Sequence, residues 1–212
     1  MIKAVIFDLD GVLIDSEVYY QEVKKKVLAI KGIEWTDELS IYYTGKKFSY
    51  EIPRIFNDRS EQEITDLIVR YRKMMAAEKP YPELKMAGSD ELLRTLKEMN
   101  IRRVIASLSI REKVSRVVRD CGWENLIDKC ICFEDVAHGK PDPEVYLKAL
   151  DYLQLKPEEC LIVEDSQIGL QAARASGMKV VCLREYRFAC DQSGADWYVD
   201  RLTDIIDIIK AQ

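Results

Sequence analysis

The sequence has only one histidine, His138, among its 212 residues. Without a second histidine, a zinc site of the usual histidine type and a serine–histidine relay are both poorly supported. His138 lies in a polar stretch, so we expect an ordinary loop residue. Contact between His138 and a substrate stays open as the alternative.

Paired cysteines are also missing, because none of the six cysteines forms a Cys-x-x-Cys motif. Several lie in apolar runs that read as strands, such as 129–133 and 160–163. Small buried thiols explain these positions better than a metal site or a disulfide framework does.

An excess of positive charge is absent, since 32 lysines and arginines face 37 acidic residues and the formal charge is −5. Nucleic-acid backbones demand a basic face, so we expect no nucleic-acid partner. No apolar run approaches the length of a membrane span, and acidic residues interrupt the short N-terminal run where a signal peptide would be cleaved. We expect a cytoplasmic, monomeric globular protein with no membrane partner.

The most informative stretch that is present follows the apolar run 2–7, which has the composition of a buried parallel strand. Asp8 and Asp10 come directly after this run, and Gly11 follows them. Two carboxylates at a strand end could share a cation, or divide the roles of nucleophile and proton carrier. The alternative is an acidic turn in which one aspartate caps a helix.

The rest of the chain changes character twice. Residues 16–79 have helical periodicity and no strand signal, with one helix expected over 48–56 and another opened by a capping box at Ser60 and Glu63. From residue 80 onward, strand and helix patterns alternate, which predicts a parallel, doubly wound sheet. We therefore predict a core made of 1–15 and 80–212, with 16–79 inserted as a helical cap that serves as a lid.

Two further strand ends carry polar residues. The strand expected over 102–107 ends in Ser107, Leu108 and Ser109, where a hydroxyl and free N–H groups could cradle phosphate. A plain helix cap by Ser109 is the alternative. Glu164 and Asp165 end a later strand and bring two more carboxylates to the same sheet edge, which predicts a Mg²⁺ site.

A lysine completes the candidate site. Lys140 lies in the segment GKPDPE, where Pro141 restricts it to extended backbone and Asp142 with Pro143 resembles a helix start. Its ammonium group could offset crowded carboxylates and phosphate, and an exposed loop lysine is the alternative.

Together these segments resemble the haloacid dehalogenase-like hydrolase superfamily, in the branch of β-phosphoglucomutase and small phosphatases with a helical cap. Four motifs match in order: DLDGVLIDS at 8–16, ASLS at 106–109, GKPDPE at 139–144 and LIVEDSQIGLQAARASGM at 161–178. The resemblance spans essentially the whole chain. It implies an α/β fold with a Rossmann-like parallel sheet core and an inserted all-helical cap domain, and Mg²⁺-dependent phosphoryl transfer through an aspartyl phosphate.

The resemblance also assigns roles by position. Asp8 would be the nucleophile and a metal ligand, and Asp10 the general acid and base, with its carbonyl on the metal. Ser107 and the N–H of Leu108 would hold the phosphoryl group, with Ser109 beside them. Lys140 would stabilise its charge. Asp165, with Glu164 close by, would complete the metal site.

The reaction itself is less determined. In β-phosphoglucomutase the first cap helix carries a histidine where this chain has Tyr20, and only Gly45, Lys46 and Lys47 offer an obvious cap grip for a second phosphate. We therefore favour a phosphatase of small phosphorylated metabolites, such as sugar phosphates. The alternatives are a hexose-phosphate mutase and a non-catalytic phospho-ligand-binding protein. Asp10 argues against a dehalogenase, since the dehalogenase branch lacks this second aspartate and needs no metal.

Overall fold

The computed structural model describes residues 1–43, 48–76, 81–187 and 191–212. The chain divides into two compact units. The larger one holds Met1–Asp15, Tyr81–Tyr186 and residues 191–212, and the smaller one holds residues 16–43 and 48–76 with Arg187. The roles of catalytic core and cap for the predicted segments 1–15, 80–212 and 16–79 stay predictions.

The larger unit is built on one six-stranded sheet. Its strands, numbered in chain order, are β1 (Ala4–Phe7), β2 (Arg102–Ala106), β3 (Lys129–Ile131), β4 (Cys160–Glu164), β5 (Lys179–Leu183) and β6 (Trp197–Val199). The order across the sheet is β3-β2-β1-β4-β5-β6, and every neighbouring pair is parallel. The predicted parallel α/β sheet is confirmed.

Nine α-helices lie in the described residues. They are α1 (Ser16–Ala29), α2 (Asp37–Tyr43), α3 (Ile52–Ile55), α4 (Glu61–Ala76), α5 (Ser89–Glu98), α6 (Arg111–Asp120), α7 (Glu144–Leu153), α8 (Gln167–Ala175) and α9 (Ile205–Lys210). Short 3₁₀ helices lie at Phe48–Tyr50, Tyr81–Leu84, Phe133–Asp135, Pro157–Glu159 and Leu202–Asp204. None of the helices described here is long and apolar enough to span a bilayer.

The central strand β1 explains why both faces of the sheet are covered. All four of its residues are buried, and side chains of a strand alternate between the two faces. Val5 and Phe7 join one apolar cluster, with residues of α5, α6 and α9, whereas Ala4 and Ile6 join the other, with residues of α7 and α8. Helices therefore sandwich the sheet, as the apolar run at 2–7 predicted.

The smaller unit contains helices and no strand among its described residues. Ser60 and Glu63 form the predicted capping box, with the Glu63 N–H donating to Ser60 Oγ at 3.3 Å and the Ser60 N–H to Glu63 Oε2 at 2.9 Å. The single helix expected over 48–56 is wrong. A 3₁₀ turn and the short α3 replace it. Pro53 has no N–H to donate to a preceding turn, so it is tolerated in the first turn of α3 but not in the middle of a longer helix.

Five of the six cysteines fall in the described part of the chain, and all five are free thiols. Cys121, Cys132, Cys160 and Cys182 are buried, and Cys130 is half-buried. Burial raises the pKa of the Cys130 thiol to about 12, so the thiol stays protonated and unreactive. The predicted role as small buried residues is confirmed for the four buried cysteines, and Cys190 lies outside the described residues.

Candidate active site

The candidate site lies where the sheet changes direction. From β1 the chain runs outward through β2 and β3, then returns to the other side of β1 at β4. In such sheets, ligands bind in the crevice beyond the carboxyl ends of the strands at the point of reversal. Asp8 follows β1 directly, and Glu164 ends β4, so two of the predicted acidic residues lie at this point.

Lys140 joins these two acidic residues. Its ammonium lies 2.5 Å from Asp8 Oδ1 and 2.7 Å from Glu164 Oε1, and only 5% of its side chain is exposed. Asp8 is separated from Lys140 by 132 residues, so the contact depends on the packing of α7 against the sheet. The alternative of an exposed loop lysine is therefore wrong.

Both oxygens of Glu164 are occupied. Oε1 accepts from Lys140 and, at 2.6 Å, from the hydroxyl of Tyr146, while Oε2 accepts the N–H groups of Asp165 and Ser166 at 2.9 and 3.1 Å. A Cβ on Gly169 would lie 1.7 Å from Glu164 Oε1, so only glycine leaves room for this carboxylate. Glu164 thus holds Lys140 in place from the end of β4.

Asp165 faces the loop that carries the two N-terminal aspartates. A Cβ on Gly11, which has a φ of +89°, would lie 2.0 Å from Asp165 Oδ2. Gly11 therefore permits both the left-handed backbone and the close approach of this carboxylate. Helix capping next to it is done by Ser166, whose hydroxyl accepts from the Gly169 N–H at 3.2 Å, which leaves the Asp165 side chain for other contacts.

Burial, together with the neighbouring charges, shifts the pKa values of the site residues. Burial, with Lys140 opposing and Glu164 adding, raises the pKa of Asp8 to about 7. Burial and the neighbouring Glu164 and Asp8 raise the pKa of Asp165 well above its ordinary value. Burial alone would lower the pKa of Lys140, but Asp8 and Glu164 outweigh it and hold that pKa well above its ordinary value. The Lys140 ammonium therefore does not keep the pKa values of Asp8 and Asp165 in their ordinary range.

The second aspartate belongs to a neighbouring cluster. Ser109 Oγ donates to Asp10 Oδ2 at 2.7 Å, and Lys113 Nζ donates to Asp10 Oδ1 and Oδ2 at 2.7 and 2.6 Å. The N-cap of α6 is Ile110, so the alternative in which Ser109 serves as a plain N-cap is wrong. The buried Ser107 hydroxyl accepts from the Ser109 N–H at 3.1 Å. Ser109 therefore contacts both Ser107, which is expected to hold phosphate, and Asp10.

The donors fit a hard divalent cation. Mg²⁺ is usually bound by one or two carboxylates, with water and substrate phosphate completing the shell. Burial raises the pKa values of Asp8 and Asp165, and a bound cation would favour the ionised form of both carboxylates. Glu164 contributes charge to this site, but its oxygens are already engaged.

The carboxylates do not form a closed cage in the described residues. The group with three ligand atoms within 4.8 Å of one another is instead His138, Asp142 and Glu144. His138 is exposed there, and Glu144 Oε2 already accepts the N–H groups of Ala137 and His138.

Helix α7 begins one residue later than the sequence suggested. Its first residue is Glu144 rather than Pro143, and the N–H of Glu144 donates to Asp142 Oδ1 at 2.9 Å.

Five predicted site residues remain, namely Leu108, Tyr20, Gly45, Lys46 and Lys47. Leu108 lies next to Gly139, where a Cβ would approach its Cδ1 to 3.1 Å. Tyr20 belongs to the smaller unit, with its ring edge-on to Tyr19 at 6.3 Å. Gly45, Lys46 and Lys47 lie outside the described residues.

Two residues of the site were missed by sequence reasoning. Lys113 could have been found because a cation in the first turn of a helix is disfavoured by the helix dipole unless an anion faces it. Tyr146 lies six residues after Lys140, and its ring centroid is 4.8 Å from the ammonium of that lysine. Its sequence signal is weak, because an aromatic residue on an apolar helix face is ordinary core.

Comparison with known proteins decides the family. The family model for haloacid dehalogenase-like hydrolases matches residues 5–183. The chain belongs to the haloacid dehalogenase-like hydrolase family.

Relatives within this family are named as phosphatases. A phosphorylated carbohydrates phosphatase of Thermotoga maritima is 31% identical over 181 residues, which cover 84% of this chain and 82% of that protein. A family hydrolase of Deinococcus radiodurans, solved with bound phosphate and sodium, is 25% identical with a TM-score of 0.81 over 99% of this chain and 96% of that one.

A solved β-phosphoglucomutase of Clostridium difficile shares the fold. It is 23% identical with a TM-score of 0.73, over 100% of this chain and 96% of that one. The predicted superfamily, its α/β sheet and the predicted class of enzyme, a phosphoric monoester hydrolase, are confirmed.

Proposed function

We propose that the protein is a Mg²⁺-dependent phosphatase that hydrolyses small phosphorylated metabolites, such as sugar phosphates, through an aspartyl phosphate on Asp8. The observation that supports this best is the buried Asp8–Lys140–Glu164 cluster at the reversal point of the sheet. A carboxylate there can attack phosphorus while an immobile ammonium offsets the charge that develops. The activity named for the Thermotoga maritima relative supports carbohydrate phosphates as the substrate class.

In this proposal an oxygen of Asp8 attacks the phosphorus of the bound ester, and the bond from phosphorus to the leaving oxygen breaks. Asp10 gives its proton to that oxygen and later takes one from the water that hydrolyses the aspartyl phosphate. Water attacks phosphorus in this second step, which releases inorganic phosphate and regenerates Asp8. Ser107 and the N–H of Leu108 hold the phosphoryl group, and Lys140 neutralises it.

Asp8 and Asp165 would hold the Mg²⁺ ion, with the main-chain carbonyl of Asp10. When bound, the ion supplies charge neutralisation for the phosphoryl oxygens and orients the ester. Glu164 serves mainly to hold Lys140, since both of its oxygens accept hydrogen bonds from protein groups.

Phosphate release from a panel of sugar phosphates, nucleotides and pyrophosphate tests the proposal. The panel is run with Mg²⁺, with EDTA and with Asp8→Asn, and includes β-glucose 1-phosphate with its bisphosphate activator. We expect release that disappears with EDTA and with Asp8→Asn. Brief incubation with ³²P-labelled substrate followed by acid quench is expected to leave label on wild type and none on Asp8→Asn.

Other results would replace the proposal. Isomerisation of glucose 1-phosphate without phosphate release would identify a mutase. Tyr20 would then take the position of the histidine in the first cap helix of β-phosphoglucomutase. Binding of phosphate esters with no turnover across the panel would identify a phospho-ligand-binding protein.

A further inference from the structure

Asp10, Ser109 and Lys113 contact one another directly. Lys113 Nζ lies 2.7 and 2.6 Å from the two oxygens of Asp10 and 2.9 Å from Ser109 Oγ, and Ser109 Oγ lies 2.7 Å from Asp10 Oδ2. Each of the three groups therefore touches the other two. A carboxylate with both oxygens engaged in this way has little freedom to rotate.

The position of Lys113 is costly without such a partner. It lies in the first turn of α6, where the helix dipole disfavours cations. Its side chain is only 15% exposed, so the ammonium has also given up most of its hydration. Asp10, which lies 103 residues away in sequence, supplies the compensating charge.

The same set leads to the phosphoryl-binding loop. The Ser109 N–H donates to Ser107 Oγ at 3.1 Å, and the Ser107 N–H donates to the carbonyl of Ile131 on the neighbouring strand. The Asp10 carboxylate is thus tied through Ser109 to the hydroxyl expected to meet the transferring group.

We propose that Lys113 is a positioning residue for Asp10, which with Ser109 fixes the carboxylate beside the phosphoryl-binding loop so that it can protonate the leaving group. This inference rests on the proposed phosphatase function and concerns the same site. Lys113 itself contacts no reacting atom in this scheme. Its effect is on how often Asp10 lies within reach of the leaving oxygen, and small errors in such placement cost large factors in rate.

The dependence on the leaving group tests this role. The value of kcat/KM reports the steps up to loss of the leaving group, before the aspartyl phosphate is hydrolysed. An alkyl phosphate needs a proton on its leaving oxygen, whereas p-nitrophenyl phosphate releases a stable anion. We expect Lys113→Met to lower kcat/KM about 10- to 100-fold for the best sugar phosphate and less than about threefold for p-nitrophenyl phosphate.

Three further variants sharpen the test. Lys113→Arg keeps the cation and is expected to recover much of the loss. In an Asp10→Asn background, Lys113→Met should have no further effect on the sugar phosphate, because the group that it positions is already gone. Lys148→Met is the matched control, since Lys148 is a helical lysine with a carboxylate partner, Glu144, at 3.3 Å and 46% of its side chain exposed.

Equal losses on the two substrates, or a full additional loss in the Asp10→Asn background, would overturn the inference. If Lys113→Met does not fold, Ser109→Ala removes a second donor to Asp10 and must show the same dependence on the leaving group. A wild-type protein that hydrolyses neither substrate would refute the phosphatase function, and the inference with it. Active wild type with equal losses in the variants would refute only the role of Lys113.

Discussion

Removal of the Lys140 ammonium should destabilise the protein strongly as well as inactivate it. Lys140→Met keeps a long apolar stem, which still packs on the ring of Tyr146, but leaves Asp8 and Glu164 without their shared cation. The exposed fractions of these side chains are 12% for Asp8 and 1% for Glu164. Water therefore cannot replace the missing ammonium.

The size of the effect follows from this burial. Removing one partner of a buried ion pair costs about 3 to 5 kcal/mol, because an uncompensated charge remains. For a chain of this length each kcal/mol lowers the melting temperature by about 2 to 4 °C. We therefore expect the melting temperature of Lys140→Met to fall by about 6 to 20 °C.

The assay is thermal unfolding followed by circular dichroism at pH 7.5 in EDTA, with urea unfolding for the free energy. Lys148→Met is again the control, because its exposed pair with Glu144 should contribute less than about 1 kcal/mol. The double variant Asp8→Asn with Lys140→Met should recover part of the loss, since one of the two stranded carboxylates is then neutral.

A loss no larger than that of the control would refute the reasoning. It would mean that the carboxylates of Asp8 and Glu164 can be buried without the Lys140 ammonium, because they take up protons without cost or because water reaches them. Failure of the double variant to recover any stability would also contradict it, because the penalty would then not come from Asp8.

Two further outcomes follow from the same site. Gly169→Ala should destabilise the protein in urea unfolding although alanine ordinarily favours a helix, because the new Cβ would meet Glu164 Oε1 at 1.7 Å; a gain in stability would contradict this contact. The pKa of Asp8 is raised from 3.8 to about 7 by burial, so wild type loses stability as pH rises through that window, whereas the amide of the Asp8→Asn variant does not titrate. In EDTA, Asp8→Asn should therefore gain stability relative to wild type between pH 5 and pH 8, by at most about 3 kcal/mol, because the gain stops near pH 7; parallel pH profiles would exclude the shift.

Much of the fold could be predicted from the sequence because it rests on local patterns. The buried run of β1, the alternation of strands and helices and the capping box at Ser60 and Glu63 depend on neighbouring residues alone. The errors are local as well. The strand expected over 129–133 ends at Ile131, and Pro53 breaks the helix expected over 48–56 into a 3₁₀ turn and α3.

The position of the site could be predicted for a related reason. Carboxyl ends of parallel strands meet at one edge of a sheet, so residues at the carboxyl ends of β1, β2 and β4 lie along that edge. Sequence order alone therefore placed Asp8, Ser107 and Glu164 at that edge. The chemical types of these residues then pointed to phosphate and a divalent cation.

Which group contacts which was decided only by the tertiary structure. Lys140 reaches Asp8 across 132 residues, and Lys113 reaches Asp10 across 103, so no local pattern carries either contact. Glu164 and Asp165 are adjacent and both carry a carboxylate. Both oxygens of Glu164 accept hydrogen bonds from protein groups, whereas Asp165 faces Gly11. Their difference arises because burial and neighbouring charges, which depend on the packed helices around the sheet, determine what a carboxylate can bind.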